Sequence, residues 1–490
     1  MHIEKIIDKC QKVKNVMRCL VGKDWGAERL ALKSIYTGLM RSVLDYGCIV
    51  FQSAATSRLK ELDKIQYKAL RLLTGAIRST PTAALQIETG EMPLELRRVQ
   101  LSLNYLVSIK GHVIDHPAKD VIKPCWEKEK SEIKSFGWMI LRVAGEMEIN
   151  EMAISPTVPW SVIPQWLLPQ PKVDMSLLEK RDKDQGDGYN ARMVQTYIQS
   201  HYFSYVLIYS DVSKNIENRV GVAFTVIDFN VKVNRRISDN LSVYTGEMIA
   251  ILLALQWVEE NRPLRTLICS DSSSSLMTLE SGQSESRSDV LIEILQTLYR
   301  IQMMGLEVSF CWVPAHIGVK GNELADECAK EATGKSDIDI KVNYSKAEIK
   351  FLIKQHVKNR WQKQLEDERT GRWLYNIQRI VGKGRITRRN RKEESIISRL
   401  RFGHTALNST LNKIGKHQTG ACEYCNQEET VEHVIMKCPK YNSERRVLIF
   451  NLKRIKMKFN LTNLLQRNSH EECIDFLLLY LKMTDLDKRL

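Results

Sequence analysis

The 490-residue sequence lacks the long apolar run that a membrane-spanning helix needs. Such a helix takes about 20 consecutive apolar residues, and the longest runs, such as that around 476–481, are much shorter. The N-terminus also lacks a basic cap followed by an apolar segment, so no secretory signal is predicted. Both absences favour an intracellular protein with no membrane partner, without distinguishing nucleus from cytoplasm.

A disulfide framework is missing as well. The sequence has 11 cysteines, an odd number, and most of them are scattered singly along the chain. Small secreted proteins instead carry even sets of closely spaced cysteines. The pattern therefore favours a reducing compartment, and it leaves three cysteines that cluster with a histidine near the C-terminus.

Positive charge is abundant but unevenly distributed. The net charge is +15 and the pI is near 9.2. Residues 201–340 carry a net charge of about −7, whereas 341–460 carry about +17. This balance excludes an acidic solvating protein and favours a polyanionic partner. The acidic block inside a basic chain suggests carboxylates gathered around metal, with neighbouring surfaces holding nucleic acid.

Helical periodicity dominates the first 155 residues. In 57–73, apolar side chains recur at the spacing of one helix face, which is typical of core packing, and Gly75 ends the pattern. Prolines and a run of charged residues then fill 156–200. Helix interiors and central strands tolerate neither, so this segment is interpreted as a linker before a new domain.

From residue 204 the pattern changes to strands that alternate with helices. Three strands joined as hairpins and followed by βα units predict an α/β fold, with helices packed on a mixed five-stranded sheet. The predicted strands are 205–209, 220–227, 231–237, 266–269 and 307–313, and the predicted helices are 246–258, 290–304 and 322–332.

Four acidic residues fall at the ends of these elements. Asp211 and Asp271 end two strands, Glu247 opens a helix, and Asp326 lies early in the last helix. Each alone is typical of a turn or cap, but together they are expected to converge, because the carboxyl ends of parallel strands face one crevice. Clustered carboxylates repel one another unless divalent cations neutralise them. His316, on a loop before Asp326, is suited to moving protons.

The motifs around these residues resemble ribonuclease H. They read YSDVSK at 209–214, GE at 246–247, SDS at 270–272 and WVPAHIGVKGNELAD at 312–326, and the last is the most specific. The resemblance covers roughly 203–335, and it is greatest to the version carried by non-long-terminal-repeat retrotransposons.

This resemblance implies cleavage of the RNA strand of an RNA–DNA hybrid with two Mg²⁺ ions, or Mn²⁺. It implies that Asp211, Glu247, Asp271 and Asp326 bind the metal and that His316 is the mobile histidine. One position departs from the family pattern, since Val212 stands where Gly usually follows the first aspartate. A β-branched residue resists backbone shapes that glycine adopts, so Val212 calls turnover into question but not the fold.

The N-terminal region resembles the part that follows the palm of reverse transcriptases in such elements. The resemblance rests on 59–73 and 87–95 and implies a thumb or connection remnant. The paired aspartates of a polymerase are absent, because the sequence contains no Asp-Asp dipeptide. We therefore expect no polymerase activity.

A cysteine–histidine set near the C-terminus has the spacing C-x2-C-x7-H-x4-C. Three thiolates and an imidazole at this spacing suit a structural zinc ion in a knuckle-like module, although a reduced, unmetallated set is the alternative. The four residues are Cys422, Cys425, His433 and Cys438.

A basic run precedes this module. Phosphate contacts would suit RNA or single strands, whereas the alternatives are a solvated charged face or a nuclear-import address. The candidate residues are Lys383, Arg385, Arg388, Arg389, Arg391 and Lys392.

The leading hypothesis is a metal-dependent endoribonuclease acting on RNA–DNA hybrids. The alternative is a catalytically impaired nucleic-acid-binding protein that retains the fold. The predicted segments are a helical region at 1–155, a linker at 156–200, a ribonuclease H-like domain at 201–336, a basic helical region at 337–415, a zinc module at 416–445 and a helical tail at 446–490.

Overall fold

The chain, seen in a computed structural model, divides into two compact units. The first comprises Met1–Asn104, Lys130–Arg142 and Ile353–Leu490, and the second comprises Tyr105–Glu129 and Val143–Leu352. No helix within the described residues is long and apolar enough to cross a membrane. The described residues are 2–22, 25–112, 116–120, 136–156, 161–180, 186–382, 384, 389–466 and 469–490.

A mixed sheet forms the centre of the second unit. Its strand order is β1-β6-β5-β2-β3-β4. Strands β1, β6, β5 and β2 run parallel, whereas β2, β3 and β4 form antiparallel hairpins. The strands are β1 (Lys172–Asp174), β2 (Val206–Lys214), β3 (Val220–Val226), β4 (Val231–Ile237), β5 (Arg265–Ser270) and β6 (Glu307–Trp312). The predicted five strands are thus corrected to six.

The additional strand comes from the segment interpreted as a linker. Strand β1 pairs in parallel with 309–311 of β6. Asp174 at its end accepts hydrogen bonds from the hydroxyl groups of Tyr197, at 2.8 Å, and Tyr202, at 2.9 Å. Three residues beside prolines are too few to display strand alternation, so tertiary pairing rather than local sequence makes this strand.

Helices accompany the sheet, and several of them pack against it. Two of them, α1 (Ser176–Lys180) and α2 (Asp187–His201), also lie in the segment interpreted as a linker. Ser242 caps the next helix by accepting from the Thr245 amide. The others are α3 (Val243–Asn261), α4 (Ser273–Ser281), α5 (Ser288–Met303), α6 (Lys320–Thr333) and α7 (Lys346–Asp367).

Glycines allow two helices to approach the sheet closely. A Cβ atom at Gly321 of α6 would overlap the Tyr209 ring of β2, and one at Gly246 of α3 would overlap the Val212 side chain. Close packing at these positions fixes the two helices against β2. These are the helices that carry Glu247 and Asp326.

The remaining elements are mainly helical. They are His2–Cys19, Arg29–Ile35, Tyr36–Arg41, Ser42–Asp45, Cys48–Phe51, Thr56–Thr74, Thr82–Thr89, Leu94–Lys110, Phe136–Gly145, Arg372–Ile377, Arg391–Phe402, Asn408–Lys413, His433–Lys437, Asn442–Arg454, Leu461–Leu465 and Glu471–Met483, with short 3₁₀ turns at Gln165–Leu167, Ile227–Phe229, Pro439–Tyr441 and Leu486–Lys488.

Distant parts of the sequence meet in the first unit. Glu88 is fully buried and accepts from Arg29 Nη1 and Arg401 Nε, both at 2.7 Å. Cys422 and Cys438 belong to the same apolar core as residues of the helices 442–454 and 471–483. The cysteine-rich segment and the C-terminal helices therefore share one core.

Candidate active site and metal centres

Three of the predicted carboxylates meet at one edge of the sheet. Ser210 of β2 is in register with Ser270 of the parallel strand β5, so Asp211 and Asp271, the next residues, are neighbours. Asp271 follows the end of β5, but Asp211 was predicted to end its strand and instead lies within β2, which continues to Lys214 because it pairs with β3. Glu247 projects from the start of α3. Each of these three side chains places a carboxylate oxygen within 4.8 Å of the other two.

Burial and mutual repulsion disturb the titration of this cluster. Burial, followed by the charge of Asp271, raises the pKa of Asp211 to about 7, although the Val212 amide donates to its Oδ1 at 2.7 Å. Burial, followed by the charges of Asp271 and Asp211, raises the pKa of Glu247 well above its ordinary value. Burial also raises the pKa of Asp271. Such acids are costly to ionise unless a cation accompanies them.

The donor set fits a hard divalent cation. Glu247 is only 4% exposed, and its Oε2 has no hydrogen-bond partner among the described residues. Buried polar atoms are normally satisfied, and carboxylate oxygens are the ligands that Mg²⁺ and Mn²⁺ prefer. The orphaned oxygen beside two other carboxylates therefore matches a metal site.

Asp326 belongs to a second group. It lies with His316 and Glu323, whose ligand atoms are all within 4.8 Å of one another. Lys330 Nζ is 2.6 Å from Asp326 Oδ2, and His316 Nδ1 is 3.9 Å from the same oxygen. Asp326 nevertheless contributes to the raised pKa of Asp211, as a like charge close to the first group.

His316 lies on an exposed loop. Its side chain is 70% exposed, and its φ of 53° is uncommon for a residue with a Cβ. The Gly318 amide donates to Glu323 Oε1 at 3.1 Å, which ties this loop to the first turn of α6. The imidazole is thus held at the edge of the site in contact with solvent.

Sequence reasoning missed several residues that support the acids. Asn322 is 2% exposed, and its side chain lowers the pKa of Asp271 against the larger effect of burial. The last helix is predicted to begin at residue 322, but α6 begins earlier, at Lys320 after the capping residue Val319, so Asn322 lies in its first turn. Trp312 Nε1 donates to the Asp271 carbonyl at 3.0 Å.

Helical spacing was an available signal for two further residues. Glu323 and Lys330 lie three residues before and four residues after Asp326, which places all three on one face of a helix.

The cysteine–histidine residues form a second candidate centre. Their ligand atoms lie within 4.8 Å of one another, with Cys422 Sγ 3.9 Å from Cys438 Sγ and Cys425 Sγ 3.3 Å from His433 Nε2. Burial lowers the pKa of His433, which keeps its imidazole neutral. Although burial opposes it, the amides of Cys425 and Tyr424 lower the pKa of Cys422. Three sulfurs and one neutral nitrogen at this separation suit a tetrahedral zinc ion.

The basic residues that the structure describes make contacts within the chain. Arg391 is 5% exposed and donates to the carbonyls of Leu72, at 2.6 Å, and Leu73, at 2.9 Å. Arg389 pairs with Asp475, and Lys392 pairs with Asp487 at 2.8 Å. Lys383, Arg385 and Arg388 lie outside the described residues.

Comparison with known families gives a match to the sheet-bearing part of the chain. The family model of RNase H matches residues 204–334. The matched segment runs from β2 to α6 and contains both carboxylate groups and His316. Residues 204–334 therefore form an RNase H domain, which is a minority of the 490-residue chain.

Proposed function

We propose that the chain is a Mg²⁺-dependent endoribonuclease that cleaves the RNA strand of RNA–DNA hybrids. We also propose that it derives from a non-long-terminal-repeat retrotransposon and has no polymerase site. The observation that carries the activity is the convergence of Asp211, Glu247 and Asp271 within an RNase H domain, with one buried carboxylate oxygen left unpaired.

The proposed roles follow from the positions of the side chains. Two bound Mg²⁺ would activate a water molecule and stabilise the leaving oxygen. Asp211, Glu247, Asp271 and Asp326 would supply the ligands. His316 is exposed and close to Asp326, so it can exchange a proton with solvent or with the departing product.

Support for Asp271 comes from its neighbours. The Asn322 side chain lowers the pKa of Asp271, which favours the charged form, and the Trp312 indole holds the Asp271 backbone carbonyl by a hydrogen bond. Side chains behind a metal ligand orient it and typically contribute 10–100-fold to metal affinity or activity.

Nucleic-acid contacts outside the catalytic domain are a separate part of the proposal. Lys354 and Lys358 are exposed and lie four residues apart on α7, so they share one helix face on which phosphates can bind. Lys383, Arg385 and Arg388, which lie outside the described residues, are proposed from the sequence alone as further contacts to RNA or single strands. The buried Arg391 instead supports the fold.

A cleavage assay on an RNA–DNA hybrid with Mg²⁺ tests the activity. We expect the intact chain to cleave the RNA strand, and Asp271→Asn to lower the rate by more than about 100-fold, since even residues behind a metal ligand contribute 10–100-fold. Asp228→Asn, an exposed change in the same domain, is the matched control and should leave the rate unchanged.

A second candidate function is nucleic-acid binding without turnover, and Val212 is the residue that favours it. In that case the intact chain would bind the hybrid in the same assay but leave it uncut with either Mg²⁺ or Mn²⁺. That result would reject the nuclease proposal.

The cysteine–histidine centre is proposed to hold one structural zinc. Metal analysis of the purified chain should give about one zinc per chain, because four ligands close a structural site. Cys425→Ser should lose it, whereas Cys19→Ser, an exposed cysteine elsewhere in the same unit, should retain it. A zinc-free wild-type chain with this segment folded would contradict the proposal.

A further inference from the structure

Gly246 is unusual because nothing in its backbone conformation requires glycine. It lies in the first turns of α3 and is buried, and it is not among the residues with positive φ. Glycine inside a helix is disfavoured relative to alanine. The reason for glycine must therefore be space rather than backbone geometry.

The space at Gly246 is occupied by Val212. A Cβ atom at Gly246 would overlap Val212 Cγ2 and lie 3.2 Å from Val212 Cβ and 3.4 Å from Val220 Cγ1. Val212 is the residue that departs from the family pattern, in which glycine follows the first aspartate. Its side chain therefore packs into the notch that Gly246 leaves in α3.

These two residues are the chain neighbours of two proposed metal ligands. Asp211 precedes Val212 on β2, and Glu247 follows Gly246 on α3. The Val212 amide also donates to Asp211 Oδ1. The separation of β2 and α3 at this contact therefore sets the separation of the Asp211 and Glu247 carboxylates.

We propose that Val212 and Gly246 are a matched pair of positioning residues that sets the distance between the metal ligands Asp211 and Glu247. The inference rests on the proposed metal-dependent activity. It also removes the reason to regard Val212 as an inactivating change, because the glycine on the opposing helix accommodates the valine side chain.

Substitution of Gly246 alone, and then of Gly246 and Val212 together, tests the pair in the full-length chain. Gly246→Ala should weaken Mg²⁺ binding by about 10–100-fold, because a ligand moved by about an ångström loses affinity and rate on this scale. Adding Val212→Ala removes the overlapping methyl groups and should restore the affinity to within about three-fold of wild type, as expected for two residues in direct contact.

The main readout is Mg²⁺ titration by calorimetry, and the heat abolished by Asp271→Asn identifies this site. Hybrid cleavage is followed in parallel, and Gly186→Ala, where a Cβ meets open space, is the control for the glycine exchange. A purely structural role for the pair would lower the melting temperature of Gly246→Ala but leave the Mg²⁺ affinity of the folded protein unchanged, and this result would overturn the inference.

If Gly246→Ala does not fold, the inference is tested with the double variant that combines Gly246→Ala and Val212→Ala. A folded double variant that binds Mg²⁺ supports the pair, whereas one that is unfolded or does not bind Mg²⁺ overturns it. Failure of the proposed function has a different signature, since the wild-type chain would then show no Mg²⁺-dependent cleavage.

Discussion

At the scale of single residues, the environment of the three clustered carboxyl groups disfavours their ionisation. Asp211, Glu247 and Asp271 all have raised pKa values, with burial as the largest cause in each case. Groups of this kind cost folding energy whenever they are ionised without a compensating charge. Sites arranged for chemistry often carry such a cost.

This cost predicts the effect of pH on the metal-free protein. Because the pKa of Asp211 is raised to about 7 in the folded state, the folded state binds the proton more tightly than the unfolded state, and stability falls as pH rises from about 4 through 7. Asp211→Asn removes this loss. We expect the metal-free variant to be roughly 1–3 kcal/mol more stable than wild type at pH 8 and nearly equal to it near pH 4.

Thermal or urea unfolding with a chelator, at pH 8 and pH 4, measures this difference. Added Mg²⁺ should stabilise the wild type at pH 8 but stabilise Asp211→Asn much less, by linkage of binding to folding. Asp228→Asn retains Asp211 and changes an exposed residue, so its stability should follow that of the wild type at both pH values. Equal stability of wild type and Asp211→Asn at pH 8 would show that ionising Asp211 does not destabilise the folded, metal-free protein.

The candidate site was partly accessible from sequence at this scale. Asp211, Glu247 and Asp271 could be placed together because strands and helix starts have local signals, although β2 continues past the predicted strand end at Asp211. Asn322 and Trp312 could not be placed, because their roles depend on contacts to Asp271 that exist only in the folded sheet. A single sequence carries no record of such contacts.

At the scale of elements, the carboxylate site is supported by a helix that lies outside the recognisable sequence motifs. Glu348 of α7 lies beyond the residues that match the family. Its Oε1 accepts from the Ser242 amide and the Thr245 hydroxyl, both at 2.7 Å, and its Oε2 accepts from the Ser345 amide at 2.9 Å. Glu348 therefore anchors the first turn of α3, the helix that carries Glu247.

Loss of this anchor should destabilise the second unit. Glu348→Ala leaves buried donors without an acceptor and removes the charge that lies 3.5 Å from the buried Arg287, so we expect a loss of about 3 kcal/mol in the free energy of unfolding. Glu348→Gln should lose less, since its amide oxygen still accepts. Urea unfolding measures both changes.

Glu331→Ala provides the comparison, because Glu331 is exposed on α6 and should cost less than about 0.5 kcal/mol. If Glu348→Ala cost no more than Glu331→Ala, Glu348 would not anchor α3.

Neither strand β1 nor the role of Glu348 could be predicted from the sequence. Both lie outside the recognisable motifs, and both are defined by tertiary partners rather than by local pattern.

At the scale of the whole molecule, the first unit is built from sequence segments that lie far apart. Glu88 and Arg401 are separated by 313 residues, yet their side chains meet in a fully buried ion pair. Arg401 also donates to Leu465 O and Gln378 Oε1. The sequence predicted helices in both segments but did not indicate that they share one interior. Contacts between residues so far apart in the sequence produce no periodic pattern of apolar residues.

This arrangement predicts that a change at Glu88 affects the proposed zinc centre at the cysteine–histidine residues. Glu88→Ala leaves Arg29 and Arg401 buried without their shared carboxylate, which should cost about 3–5 kcal/mol. Because Leu400 belongs to the same apolar core as Cys422 and Cys438, the loss should reach the zinc ligands. We expect the variant to release its zinc to a chromophoric chelator faster than wild type, and to unfold at a lower urea concentration.

The comparison for Glu88 is Glu61→Ala, which breaks an exposed pair with Lys64 in the same unit. Exposed ion pairs contribute little to stability, so zinc release from this variant should match wild type. Glu88→Gln retains an acceptor for one arginine and should fall between the two. If Glu88→Ala released zinc no faster than Glu61→Ala, the N-terminal helices and the cysteine-rich segment would be independent folding units, and the buried ion pair would stabilise only its immediate surroundings.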